Sequence, residues 1–206
     1  MTIQAIIFDI GGVLIRTADR SHRNNLEDRL ELQRGESEIL VFNGEMGKKA
    51  QLGEISSAEL YAWIQSHLNL DEAGIEQFKH EFWAGDQLDT DLVDFIRQLK
   101  SKYTVCIISN FMDALPQMLK TDYPAAGAFH FTVVSAHVGV MKPAPEIFEY
   151  TLKLLNLRPE ETVFIDDFQH NIKGCQAVGM HGIHFTPDID LKAKLAELGV
   201  KLKSDQ

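Results

Sequence analysis

The sequence predicts an α/β fold: a Rossmann-like, mostly parallel sheet flanked by helices, with an inserted α-helical cap. Three observations point there. Short apolar runs near residues 5–8, 104–108, 131–134, 162–166 and 181–185 have the length and composition of buried strands. Helical patterns near 145–156 and 169–178 alternate with the later runs, which is the βαβ order that produces parallel pairing. Between the first and second runs, residues from about 20 to 84 switch to charged, helix-period sequence.

Each element follows in chain order. The first run, Ala5-Ile6-Ile7-Phe8, ends in Asp9 and continues through Ile10, Gly11 and Gly12 to Leu14. The α/β core is assigned residues 1–16 and 86–206, and the cap residues 17–85. Within the cap, helical segments are expected near 22–33, 36–47, 56–68 and 71–83. Ser56-Ser57-Ala58-Glu59 has capping-box spacing, and Leu60, Trp63, Ile64 and Leu68 follow at helical intervals as a cap-core stripe. The core resumes near Asp89-Thr90 with Leu92, Phe95, Ile96 and Leu99, an i, i+3, i+4, i+7 face. Strand 104–108 then runs into Ser109-Asn110. Strand 131–134 leads to Gly139-Val140-Met141-Lys142-Pro143, where the proline drives Lys142 toward extended backbone. The run Thr162 to Ile165 ends in Asp166-Asp167.

Open α/β sheets bind ligands beyond the carboxyl ends of their strands, and these polar residues all fall there or in the loops that follow. A carboxylate such as Asp9 can attack phosphorus and form an acyl-phosphate, dividing one difficult hydrolysis into two steps. Two anions approach each other only if a cation lies between them. Mg²⁺ suits a site of few carboxylates, and Asp166 and Asp167 supply them beside Asp9. Ser109, Asn110 and the Lys142 ammonium are candidate donors to the phosphate oxygens. Singly, each residue has an ordinary reading: Asp9 or Asp166-Asp167 as turn or cap residues, Ser109 as a helix cap, Lys142 as a solvated lysine. The ordered set is what points to a metal-assisted phosphoryl site.

On these residues the chain resembles the haloacid dehalogenase superfamily, whose hydrolases carry four such motifs in this order. The resemblance implies Asp9 as nucleophile, the Gly11 carbonyl as a metal ligand, and Ser109 and Lys142 as phosphate binders. It further implies Asp167 as the direct metal ligand, Asp166 acting through water, and Asn171 as their supporting partner. Small phosphorylated metabolites such as sugar phosphates are the substrates it implies, with selectivity residing in the cap. One position departs from the pattern. Superfamily phosphatases usually carry a second aspartate, a general acid–base, where this chain has Gly11. Such help is typically worth ~10²–10⁴ in rate. The glycine keeps open a dehalogenase-type reaction and a catalytically weak interaction protein of the same fold. A phosphoacceptor receiver module would place its acidic pair first and its acceptor later, the reverse of the order here.

Composition narrows the partners. The chain has 206 residues, a formal net charge of -10 and no Lys/Arg run, which argues against a nucleic-acid face. Cys106 and Cys175 lack metal-ligand spacing and read as reduced core residues. No apolar run has spanning length and no signal peptide is evident, so a cytoplasmic enzyme without a membrane partner is expected, its oligomeric state left open. Arg16, the polar stretch Asn43-Gly44-Glu45-Lys48, and His170 as a stand-in acid are further candidates for the cleft.

Overall fold

The computed structural model describes residues 2–202. Its strands are β1 (Ala5–Phe8), β2 (Ile15–Thr17), β3 (Asp86–Leu88), β4 (Thr104–Ser109), β5 (Phe131–Val134), β6 (Thr162–Asp166) and β7 (His181–His184). Five of them form one parallel sheet in the order β5-β4-β1-β6-β7. β1 holds the centre because all four of its side chains are apolar and buried, as a strand covered on both faces requires. Its register pairs Phe8 with Ile107 on one side and Ile165 on the other, so the carboxyl ends of β1, β4 and β6 stand almost level.

Two apolar layers cover this sheet. Ile6 and Phe8 face one cluster with Leu92, Phe95, Ile96 and Leu99 of the helix Thr90–Leu99, the stripe expected from its spacing. Ile7, Cys106, Ile108 and Phe164 face the other, against the helices Pro145–Leu155 and Gln169–Ala177. Cys106 and Cys175 are buried free thiols, and burial pushes the Cys175 thiol up to about 12.

β2 and β3 pair antiparallel, Ile15 with Leu88 and Thr17 with Asp86, and form a two-stranded neck absent from the sequence reading. Between them lie the helices Ser21–Arg29, Glu36–Glu38, Glu45–Gln51, Ser57–His67 and Glu72–Trp83. The Ser56/Glu59 capping box forms as expected, and Leu60 and Ile64 are buried behind it, with Trp63 and Leu68 half-buried. The single helix expected near 36–47 does not form. Ile39–Asn43 is a π-helical turn and Gly44 is extended, φ −80° and ψ −179°. Gly44 is a poor helix former, and its N–H reaches back five residues to the Ile39 carbonyl at 2.7 Å. A side chain could not share that turn: a Cβ at Gly44 would stand 2.7 Å from the same carbonyl oxygen.

The helical insertion is tied to the sheet domain by side chains of the sheet domain that reach its backbone and its apolar cluster. The Ser135 hydroxyl donates to the Gln51 carbonyl at 2.6 Å, and Asp113 accepts from the Ser57 N–H at 2.9 Å. Met112, from the loop after β4, is buried in the apolar cluster of the insertion, and Phe111 packs against it.

Candidate active site

A cavity of about 580 Å³ opens between the carboxyl ends of the strands and the helical insertion. Asp9 follows β1 directly, Ser109 ends β4 and Asp166 ends β6, so the level strand ends bring three residues distant in sequence to one floor. Ser109 lines the cavity and is buried; the helix it was a candidate to cap starts at Leu115, too far along for it to cap.

Lys142 is 4% exposed, which removes the reading of a solvated lysine. Its Nζ stands 2.8 Å from Asp9 Oδ2 and 2.7 Å from Asp166 Oδ2. Its backbone is gripped at both ends by one side chain: Asn110 Nδ2 donates to the Lys142 carbonyl at 2.9 Å, and Asn110 Oδ1 accepts from the Lys142 N–H at 2.8 Å. The Lys142-Pro143 bond is cis. The clasp uses Asn110 Oδ1 and one of the two Nδ2 hydrogens, and does not involve the backbone N–H that Asn110 is expected to offer a phosphate.

The two adjacent aspartates are in different situations. Asp166 is fully buried and accepts from Lys142, from the Phe168 N–H at 2.7 Å, and from Asn171 Nδ2 at 3.1 and 3.0 Å. Asn171 therefore supports Asp166 directly. Asp167 has a buried oxygen, Oδ1, with no hydrogen-bond partner among the described residues. Buried polar atoms are rarely left so, and one that is needs an explanation. Asp9, Asp166 and Asp167 each offer an oxygen within 4.8 Å of the others. Burial pushes the Asp9 carboxyl up to about 7 against the pull of the Lys142 ammonium, with Asp166 adding to the rise. Burial, then Asp166, also raises Asp167. Three neighbouring carboxylates, of which Asp9 and Asp167 are disfavoured as anions and Asp167 has an orphan oxygen, form a donor set that a hard divalent cation fits.

The glycines beside Asp9 shape this pocket. Gly12 has φ +72°, and a Cβ there would lie 2.0 Å from Asp167 Oδ2, so no other residue lets that carboxylate approach. Gly11 lines the cavity with nothing within 4 Å of its would-be Cβ. His170 also lines the cavity and is exposed. Arg16 lines it too, but its guanidinium pairs with Asp89 and donates to the Val13 carbonyl at 3.0 Å. Of the stretch 43–48, Asn43 is the residue that lines the cavity, and Glu45 pairs instead with Lys49 at 2.7 Å.

Residues of the far wall went unnoticed in the sequence. Phe42, Trp83, Phe111, Leu115, Met118 and Tyr123 line it, together with Arg23, Glu38 and Asp86. Arg23 is buried over the Phe82 ring, 4.3 Å from its centroid, and bonds Asp86 at 2.9 and 2.8 Å. No spacing in the chain joins these residues, which come from the helices Ser21–Arg29 and Glu36–Glu38, the π turn, the end of the helix Glu72–Trp83, β3, and the helix Leu115–Thr121 with the loops on either side of it.

A haloacid dehalogenase-like hydrolase family model matches residues 3–179. Sesquiterpene phosphatase astK of Aspergillus oryzae is 27% identical over 198 residues, covering 96% of this chain and 97% of that protein. D-ribitol-5-phosphate phosphatase of Bacteroides thetaiotaomicron is 27% identical over 179 residues, covering 82% of this chain and 85% of that one. A wild-type HAD family enzyme from Bacteroides thetaiotaomicron, crystallised in complex with magnesium and inorganic phosphate, superposes with a TM-score of 0.79 at 25% identity, over 93% of this chain and 98% of the other.

Proposed function

The chain belongs to the haloacid dehalogenase-like hydrolases, and from that premise we propose that it is a Mg²⁺-dependent phosphatase acting on a small phosphorylated metabolite through an aspartyl-phosphate. One observation carries the reading: Lys142 bridges Asp9 and Asp166 while Asp167, beside them, keeps an unpartnered buried oxygen. That is a site with its own positive charge next to a nucleophile and a set of carboxylate oxygens suited to a second positive charge.

In the first step an Asp9 oxygen forms a bond to phosphorus as the bond from phosphorus to the leaving oxygen breaks. In the second, water attacks phosphorus, the acyl-phosphate bond breaks, and inorganic phosphate and the Asp9 carboxylate are released. Asp9, Asp167 and the Gly11 carbonyl would hold the cation, with Asp166 acting at longer range. When bound, Mg²⁺ offsets the charge of nucleophile and phosphate and orients both. Lys142 and the Ser109 hydroxyl would donate to the phosphate oxygens, and Asn110 holds Lys142 in place. Asp166 and Asn171 fix the lysine from below. Gly11 supplies no proton, so the leaving oxygen draws on water, on His170, or on its own low basicity.

A dehalogenase reaction gains no support from this geometry, because attack on carbon gives the orphan oxygen of Asp167 no role. The two phosphatase relatives are named for a sesquiterpene and for a sugar-alcohol phosphate, organic groups of opposite polarity, and so do not choose a substrate class between them.

The test is hydrolysis of an aryl phosphate with Mg²⁺ and with chelator, for the wild type and Asp9→Asn, alongside trifluoroberyllate trapping. Activity should vanish in chelator, fall by a factor on the order of 10⁵ in the variant, and the adduct should sit on Asp9. Full activity in chelator, or an adduct elsewhere, overturns the reading.

A further inference from the structure

The cavity lining is of two kinds, the carboxylate floor around Asp9 and a wall with an aromatic cluster. Phe42, Trp83 and Phe111 stand there with ring centroids 5.6 to 5.9 Å apart in tilted or edge-on contacts. Leu115, Met118 and Tyr123 extend the wall. The Trp83 indole N–H, the one polar handle of the ring, donates to the Tyr61 hydroxyl at 3.0 Å. Its faces are left as hydrocarbon.

Apart from Asn43, the polar residues of this wall are turned to one another. Arg23 donates to the Phe82 carbonyl at 2.9 Å, to Glu38 at 3.2 Å and to Asp86. Asp86 also accepts from the Thr17 hydroxyl at 2.6 Å, and Gln51 donates to the Phe42 and Gly47 carbonyls at 2.8 and 3.2 Å. A substrate rich in hydroxyls would have to break these bonds or leave its own polar groups unpaired, and either is unfavourable by the desolvation of each group involved. An apolar group would displace water from the rings at no such penalty. Pockets of this volume take ligands of drug size, far larger than phosphate alone.

We infer that the organic part of the substrate is a hydrocarbon-rich group, alkyl, isoprenoid or aryl, seated against Phe42, Trp83 and Phe111 while its phosphate meets Asp9. This narrows the phosphatase reading and rests on it. It also replaces the sugar phosphate-like substrate expected from the resemblance.

The test uses the Mg²⁺-loaded protein with n-alkyl phosphates from ethyl to octyl, which differ little in leaving-group basicity, against ribitol and glycerol phosphates. kcat/KM should rise by up to about fourfold per methylene until the wall is covered, and octyl phosphate should exceed either polyol phosphate by more than about tenfold. The octyl-to-ethyl ratio should collapse in Trp83→Ala. If that variant does not fold, Met118→Gln, which preserves length, should lower the same ratio. A flat chain-length series, or preference for the polyol phosphates, overturns the inference and leaves the phosphatase reading standing. If no ester is hydrolysed, the phosphatase reading fails, and calorimetric binding of octylphosphonate against ethylphosphonate still decides the wall: tighter binding of the longer chain upholds it, equal or absent binding refutes it.

Discussion

The two ends of the cleft satisfy their polar groups in opposite ways. At the strand ends, Lys142 is shared between two carboxylates, Asn110 and Asn171 grip from either side, and one Asp167 oxygen is left over. Beneath the helices, Arg23, Glu38, Asp86 and Thr17 close on one another, and the aromatic rings face the cavity. The first end is an incomplete charge set that a cation and an anion would complete. In the second the charged groups are already paired with one another, so it has apolar surface to offer. A site for an anionic head and an apolar body follows from where the unpaired atoms lie, more than from how many polar residues line each wall.

The strongest way to break the contrast is to remove the shared cation. Lys142→Met should lower kcat/KM by ~10²–10³, the scale of one lost transition-state donor. It should also destabilise the fold by about 3–5 kcal/mol, because Asp166 would stay buried without its partner. Urea unfolding and steady-state kinetics on the same preparation read both. A variant of unchanged stability would mean that Lys142 is not the group neutralising Asp166.

The unequal aspartates sharpen the contrast within the polar end. Asp167→Ala should raise the Mg²⁺ concentration for half-maximal activity more than about tenfold while leaving the metal-free melt unchanged or higher, since burial and Asp166 both disfavour its charge. Asp166→Ala should lower that melt, by about 1–3 kcal/mol for the donors it strands, with the smaller effect on Mg²⁺. The reverse pattern in metal titrations and melts would exchange their roles.

Gly11 asks whether the polar end lacks only a proton donor. The open space at its Cβ accommodates Gly11→Asp. This variant should raise alkyl-phosphate turnover by about tenfold, below the ~10²–10⁴ of a well-positioned acid–base, and weaken the dependence on leaving-group pKa in single-turnover rates. A wild-type rate already insensitive to that pKa would point to His170 as the donor.

The smallest effect belongs to the closed network. Burial opposes the Glu38 anion, but the guanidiniums of Arg20 and then Arg23 overcome it and hold the carboxyl down at about 2. A folded pKa below the unfolded value gives stability that is present above the unfolded pKa, near 4.5, and lost as pH falls through about 2. Wild type and Glu38→Gln should therefore converge in stability between about pH 4.5 and 2. Parallel pH profiles would show that Glu38 is not specially held.

What could be read in the chain divides along the same line. Asp9, Ser109 and Asp166 are legible because an apolar run ending in a polar residue means a buried strand meeting solvent. Lys142 was marked by its proline. The clasp of Asn110 was not legible, since it joins residues 32 apart through a fold that no local pattern specifies. Nor was the aromatic wall: the chain from 36 to 47 reads as one helix until Gly44 breaks it, and without the π turn nothing brings Phe42 toward Trp83 and Phe111.

The loop after β4 has one more consequence. Ser109 and Asn110 belong to the floor, yet Phe111 and Met112 are held among the helices above, and the Phe111 N–H donates to the same Ser135 hydroxyl that reaches Gln51. The insertion is therefore bonded through Ser135 to the loop that follows Ser109, and a rocking of the one would carry the other. If Ser109 binds the anion, access to the cleft and grip on the anion share one mechanical coordinate: phosphate in the site should then slow amide exchange at Gln51 and Leu52, and unchanged exchange there would show the lever to be slack.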